Sequence, residues 1–207
     1  MRYFNVLQMP GFKIIKVNLL ILILMLLLTG CYRLQVGAQS GLAATYHPIG
    51  NGVEFGTVSD YYAALIDNDP TQEGSFLLSP HYKSHKDPMV EYKQVGADFG
   101  YQYIRGTGTS RFLIVTALQA GRATVEPKTY TAKGYKTDEQ FVTKRQAVTT
   151  YGAYYMFHFM FSGWGWLGKV GYSRVPLEGE YTNESGTTTT TKPIEQTYLG
   201  TGLSYTF

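Results

Sequence analysis

The sequence predicts an all-β fold, an antiparallel up-and-down transmembrane β-barrel of eight strands. Three observations predict it. Segments of strict alternation set aromatic and aliphatic rows against rows of glycine and polar residues. The chain ends on an aromatic, Phe207. Aromatics reach 15% of the residues and charged residues only 16%, yet the mean hydropathy is −0.14. A helical membrane protein would be far more apolar, whereas a barrel turns only every second strand residue to lipid.

The N-terminus reads as an address. Arg2, Lys13 and Lys16 precede an unbroken apolar run, Leu19 to Leu28. Ten helical residues rise roughly 15 Å, about half a bilayer core, so the run is too short to span. Charge, a short apolar core and then small residues mark a secretory signal peptide. Leu28-Thr29-Gly30-Cys31 resembles a bacterial lipobox. The resemblance implies lipidation of Cys31, with residues 1–30 as the signal and 31–207 as the barrel domain. Tyr32 after the cysteine implies sorting to the outer membrane. The alternative is an ordinary signal peptide cleaved at Val36-Gly37-Ala38.

The formal net charge is +3, but the three basic residues before Cys31 have no acidic counterpart there. Residues 31–207 therefore balance 15 basic against 15 acidic groups. No basic stripe marks a nucleic-acid partner. A single cysteine excludes an internal disulfide.

The strands follow from period two. At the C-terminus Leu199, Thr201, Leu203, Tyr205 and Phe207 share one face, and Gly200, Gly202, Ser204 and Thr206 the other. In 94–103, Val95, Ala97, Phe99, Tyr101 and Tyr103 oppose Gln94, Gly96, Asp98, Gly100 and Gln102. Tyr155, Phe157, Phe159 and Phe161 oppose Tyr154, Met156, His158 and Met160, and Trp164, Trp166, Val170 and Tyr172 oppose Gly165, Leu167, Lys169 and Gly171. The predicted strands are 32–46, 53–65, 75–84, 91–105, 110–124, 145–162, 164–177 and 192–207. The segment 59–66 has a short helix as its alternative. Both termini then face the periplasm, turns 106–109 and 162–163 are short, and loops 125–144 and 178–191 are long and face the exterior.

These features resemble small eight-stranded outer-membrane barrels of the OmpA transmembrane-domain type. Leu203, Tyr205 and Phe207 resemble the terminal signal that barrel-insertion machinery recognises. The resemblance is architectural and carries no motif for an activity.

Parity turns Glu54, Asp60, Asp98, His158 and Lys169 inward, with Gln35, Gln39, Gln94 and Gln102. Eight strands enclose a lumen that side chains fill. Buried charges must then pair, and Lys169 with Asp98 or Asp60 forms the expected plug. Lipid A deacylase barrels carry a His-x-Ser pair, and His158 is followed by Phe159 and Met160 instead. The palmitoyltransferase barrels place His, Asp and Ser near the outer rim, where His81, Ser84, His85 and Asp87 are the available groups. His81 and His85 also have the spacing of two zinc ligands on a helix. No catalytic residue, metal or cofactor is assigned on these signals. Loop 125–144 interleaves Lys128, Lys133, Tyr135 and Lys136, a candidate surface for host ligands or for lipopolysaccharide. The expected function is a non-enzymatic structural or surface-binding barrel among outer-membrane lipids. The alternatives are a lipid-modifying outer-membrane enzyme and a periplasmic lipoprotein built as a soluble β-sandwich.

Overall fold

The computed structural model describes residues 32–46, 52–67, 73–106, 110–133, 138–183 and 185–207. The predicted signal segment, residues 1–30, and Cys31 lie outside the described residues. The strands are β1 (Tyr32–Tyr46), β2 (Val53–Asp67), β3 (Gly74–Lys86), β4 (Glu91–Arg105), β5 (Ser110–Glu126), β6 (Lys128–Lys133), β7 (Asp138–Thr143), β8 (Gln146–Phe161), β9 (Trp164–Asn183) and β10 (Gly186–Thr206).

Eight of these close a ring in the order β1-β2-β3-β4-β5-β8-β9-β10, with β10 pairing back onto β1 and every pairing antiparallel. Closure removes the free edges that an open sheet would expose. Following the register from Gly37 through Tyr62, His81, Gly96, Gly121 and Thr150, then Val175 and Ile194, returns the ladder to β1 just past Tyr46. That is ten residues above its start at Gly37. Ten strand rises over eight strand spacings incline the strands by about 40°, within the range of closed barrels.

One end of the barrel holds Phe207 and the tight turn at Ser162–Gly163. Both turn residues have positive φ, 45° and 88°. A two-residue hairpin loop needs that geometry to match the strand twist. The opposite end, the mouth, holds the turn Asp87–Val90 and the β6–β7 hairpin. β7 pairs with the upper part of β9, Gly179 to Thr182, so β10, β9, β7 and β6 stand as a sheet above the ring.

The predicted faces match the observed ones and the strand predicted at 53–65 forms, but two segments predicted as loops differ from expectation. Residues 59–66 are strand and not helix: Tyr61 and Ala63 pair along β1 while Asp60, Ala64 and Ile66 point into the lumen. Residues 178–191 are not a long loop. β9 and β10 continue as a hairpin as far as the pair Asn183–Gly186, because the tract Thr187–Thr191 is β-branched and pairs residue by residue with 178–182. Loop 125–144 likewise contains the paired strands β6 and β7. Proline does not break β3. Pro80 lacks an N–H, the β2–β3 ladder stops at His81, and the Ser79 hydroxyl donates to the Ala63 carbonyl instead (2.8 Å).

The outer face is apolar and uncovered: Phe76 is 75% exposed, Leu199 68% and Leu118 66%. Among the described residues no second protein layer roofs these rows, so they do not form a β-sandwich. Inside, apolar layers close both ends. Ile66, Ile104, Leu113 and Met160 fill the terminal end. Val90, Tyr92, Val125, Phe141, Val175, Leu177 and Ile194 fill the mouth.

Candidate functional site

Between those layers the lumen is polar. Next to the terminal plug, β8 and β10 bring His158 and Ser204 together, Nε2 to Oγ 2.6 Å. The other ring nitrogen, Nδ1, lies 3.3 Å from the Gln35 amide nitrogen. Tyr62 donates to Gln35 Oε1 (3.4 Å). Serine, imidazole and an orienting side chain are the parts of a nucleophilic site. No local motif marks the pair, since its members are 46 residues apart and meet only through β9. Both are sealed, with His158 0% and Ser204 3% exposed. The adjoining cavity, lined by Gln35, Tyr62, Ser79, Gln102, His158 and Lys169, offers about 10 Å³. That is the space of one water centre and admits no acyl chain.

The middle of the lumen is ionic. Lys169 Nζ donates to Asp60 Oδ2 at 2.6 Å, and Gln39 donates to the same oxygen at 3.0 Å. The ammonium also lies 3.7 Å from the centre of the Tyr154 ring, whose hydroxyl donates to Asp98 Oδ2 (3.0 Å). His81 Nδ1 lies 2.7 Å from Asp98 Oδ1. Lys83 sits over the Tyr198 ring and donates to Ser173 Oγ (3.3 Å). Of the two acids expected to hold Lys169, Asp60 is the direct partner, and Asp98 joins through Tyr154. Two lysines thus face two aspartates, so the desolvated charges are compensated where no bulk water reaches.

A second chain of bonds climbs to the mouth. Tyr92 donates to Gln196 Oε1 (2.6 Å), Gln196 Nε2 to Thr45 Oγ1 (3.3 Å), and Thr45 to Asp87 Oδ2. His85 Nε2 lies 2.6 Å from that oxygen. Asp87 Oδ1 accepts the Met89 and Val90 amides, at 2.7 and 2.6 Å. Burial pushes the Asp87 carboxyl up, but its bonds to His85 and Thr45, the His85 charge and the Val90 amide outweigh it. The carboxyl is held below the ordinary carboxylate range. One aspartate therefore staples the turn 87–90 into the mouth.

His81 and His85 both face the lumen from one strand. Four residues of extended chain set them about 13 Å apart, so the spacing that joins two ligands on a helix separates them here. Ser84 lies on the opposite face from both. The rim grouping of His81, Ser84, His85 and Asp87 is therefore not assembled, and only His85 and Asp87 meet. Glu54 is half-buried near the mouth. Lys128 donates to the Asp87 carbonyl (2.6 Å), tying β6 to the mouth turn. The side chain of Lys133, with Tyr135 and Lys136, lies outside the described residues. Leu203 and Phe207 are exposed on the outer face, and Tyr205 packs edge-on between Trp164 and Phe207.

The closed ring of eight strands has a counterpart of known structure. The chain is similar in fold to Neisserial surface protein A. The two superpose with a TM-score of 0.52 at 16% identity, covering 84% of this chain and 97% of that one. The translocator domain of the autotransporter NalP from Neisseria meningitidis aligns with a TM-score of 0.32 at 7% identity, over 93% of this chain and 96% of that one. No protein-family model and no curated protein sequence matches the chain. The fold is therefore that of an eight-stranded outer-membrane barrel.

Proposed function

We propose that this barrel resides in a bacterial outer membrane and acts there as a non-enzymatic structural or surface-binding protein through its mouth. The observation that carries the reading is the uncovered apolar belt around a sealed polar lumen. Each large side chain in that belt recovers about 1.5–3 kcal/mol when lipid replaces water. The plugs at both ends argue against a channel, and the enclosure of His158 and Ser204 argues against lipid chemistry. The sheet β10-β9-β7-β6, raised above the ring, is the surface left to meet a ligand, and it faces the cell exterior. Lipidation of Cys31 fits β1, because cleavage after Ala38 would remove Gln35 and the lower half of the strand that closes the ring. Leu203, Tyr205 and Phe207 present the outward row that the insertion machinery reads.

Migration of unheated and boiled samples on gels tests the barrel. A shift between them is expected, and identical migration overturns the reading. Mass spectra of membrane lipids from cells with and without the protein test the non-enzymatic role. Unchanged acyl chains are expected, and altered chains would establish an enzyme instead. Labelled palmitate should disappear from Cys31→Ala, and its retention would place any acylation elsewhere.

A further inference from the structure

Four cations stand on the outer wall at one level. At a strand inclination of about 40° each residue climbs roughly 2.5 Å along the barrel axis, and each step to the next strand roughly 3 Å. On that scale Lys86, Lys93, Arg122 and Arg174, from β3, β4, β5 and β9, fall within about 4 Å of the same height. They lie about 25 Å from the aromatic row that contains Tyr103 and Trp164, the height of an apolar barrel band. Lys86 has Glu91 beside it (3.9 Å) and Arg174 has Glu195 (4.0 Å). Lys93 and Arg122 are exposed, and neither has an acidic partner among the described residues. Lys93 pairs with Thr124 and Arg122 with Val95, so the two are diagonal neighbours on one face, roughly 7–8 Å apart and able to converge on one group. Directly below them the wall is apolar, with Val95 65% and Leu118 66% exposed.

We propose that Lys93 and Arg122 form a binding site on the barrel wall for the phosphomonoester of a glycolipid in the mouth-side leaflet. This rests on the membrane reading above. A phosphomonoester carries a charge of about −1.5 to −2, which matches two uncompensated cations, whereas a phosphodiester lipid carries one charge. The guanidinium fork of Arg122 donates to two phosphate oxygens, and Lys93 supplies a point charge. The glycolipid's acyl chains then lie along Val95 and Leu118.

The test uses the refolded full barrel in phosphatidylcholine nanodiscs, with bound lipid counted by native mass spectrometry. The probes are lipid A with its phosphates, dephosphorylated lipid A and phosphatidylglycerol. Phosphorylated lipid A should be retained over both others. Lys93→Gln with Arg122→Gln should weaken that retention roughly thirtyfold, the usual effect of one basic group at an anionic surface taken twice. Arg105→Gln, at the terminal end, should leave it unchanged. Equal retention of the three lipids, or an unaffected double variant, overturns the site while the barrel still shifts on heating. A protein that neither inserts nor shifts overturns the membrane reading and the site together.

Discussion

Lys169→Met removes one charge from a pair that lies almost wholly out of solvent, at 3% and 1% side-chain exposure. Asp60 then keeps the Gln39 amide at 3.0 Å as its one hydrogen bond, and Lys83 is the remaining nearby cation. Orphaning one member of a buried pair costs about 3–5 kcal/mol. Asp60→Leu should cost less, because Lys169 retains the Tyr154 ring at 3.7 Å, and such a contact is worth about 2 kcal/mol when desolvated. The double variant removes both charges and leaves mainly the Gln39 amide unpaired, a loss of about 1–3 kcal/mol. Its cost should therefore fall several kcal/mol short of the two single losses added together. The assay is urea unfolding of the barrel in lipid vesicles, with the folded fraction read from unheated gel migration. Losses that add to within about 0.5 kcal/mol would refute the coupling. So would a larger loss for Asp60→Leu than for Lys169→Met.

Other perturbations probe the lumen and the mouth separately. A Cβ on Gly165 would stand 2.1 Å from His158 Nε2 and 2.5 Å from Ser204 Oγ, so Gly165→Ala should separate the pair. Its urea midpoint should fall below that of Ser204→Ala, which leaves His158 Nε2 unpaired at about 1–3 kcal/mol while Nδ1 keeps the Gln35 amide. Equal midpoints would show that the wall yields. The lowered Asp87 pKa stabilises the mouth turn above the ordinary carboxylate range, and that stabilisation is lost as pH falls through the lowered value. Amide exchange at Met89 and Val90, corrected for intrinsic rates, should accelerate in acid, and Asp87→Asn should remove most of the dependence. A Thr189→Pro variant should open the β9–β10 hairpin to protease while heat-shifted migration persists. Loss of the shift would show that the upper hairpin holds the ring.

The alternation made the faces of β4, β8, β9 and β10 legible, because lipid and lumen are two environments imposed residue by residue. Asp60, Asp98, His158 and Lys169 could be turned inward on that basis alone. Their partners could not be chosen, because the choice depends on stagger around the ring. Parity allows Lys169 either aspartate, and the barrel's ten-residue stagger brings its ammonium to Asp60 and its neighbour Tyr154 to Asp98. His158 and Ser204 lay hidden for the same reason. The segment 178–191 was misread because its polarity resembles a loop. Above the belt neither face meets hydrocarbon, and only cross-strand pairing of β-branched threonines signals strand there.

The stagger also explains why the lumen is sealed. It brings alternate layers of the wall inward at each height, so glycines such as Gly37 and Gly171 face bulky partners, Tyr62 and Tyr198. A Cβ on Gly96 would meet the Ala120 carbonyl at 2.2 Å and His81 at 2.7 Å, so the space it leaves is taken by neighbouring chain and ring. Large polar side chains fill the lumen against a small-residue lining, and their charges must then cancel within it. A barrel committed to this packing has no room for cargo in its interior. Whatever it recognises must be met on the outside, at the raised sheet or along the cationic level of the wall.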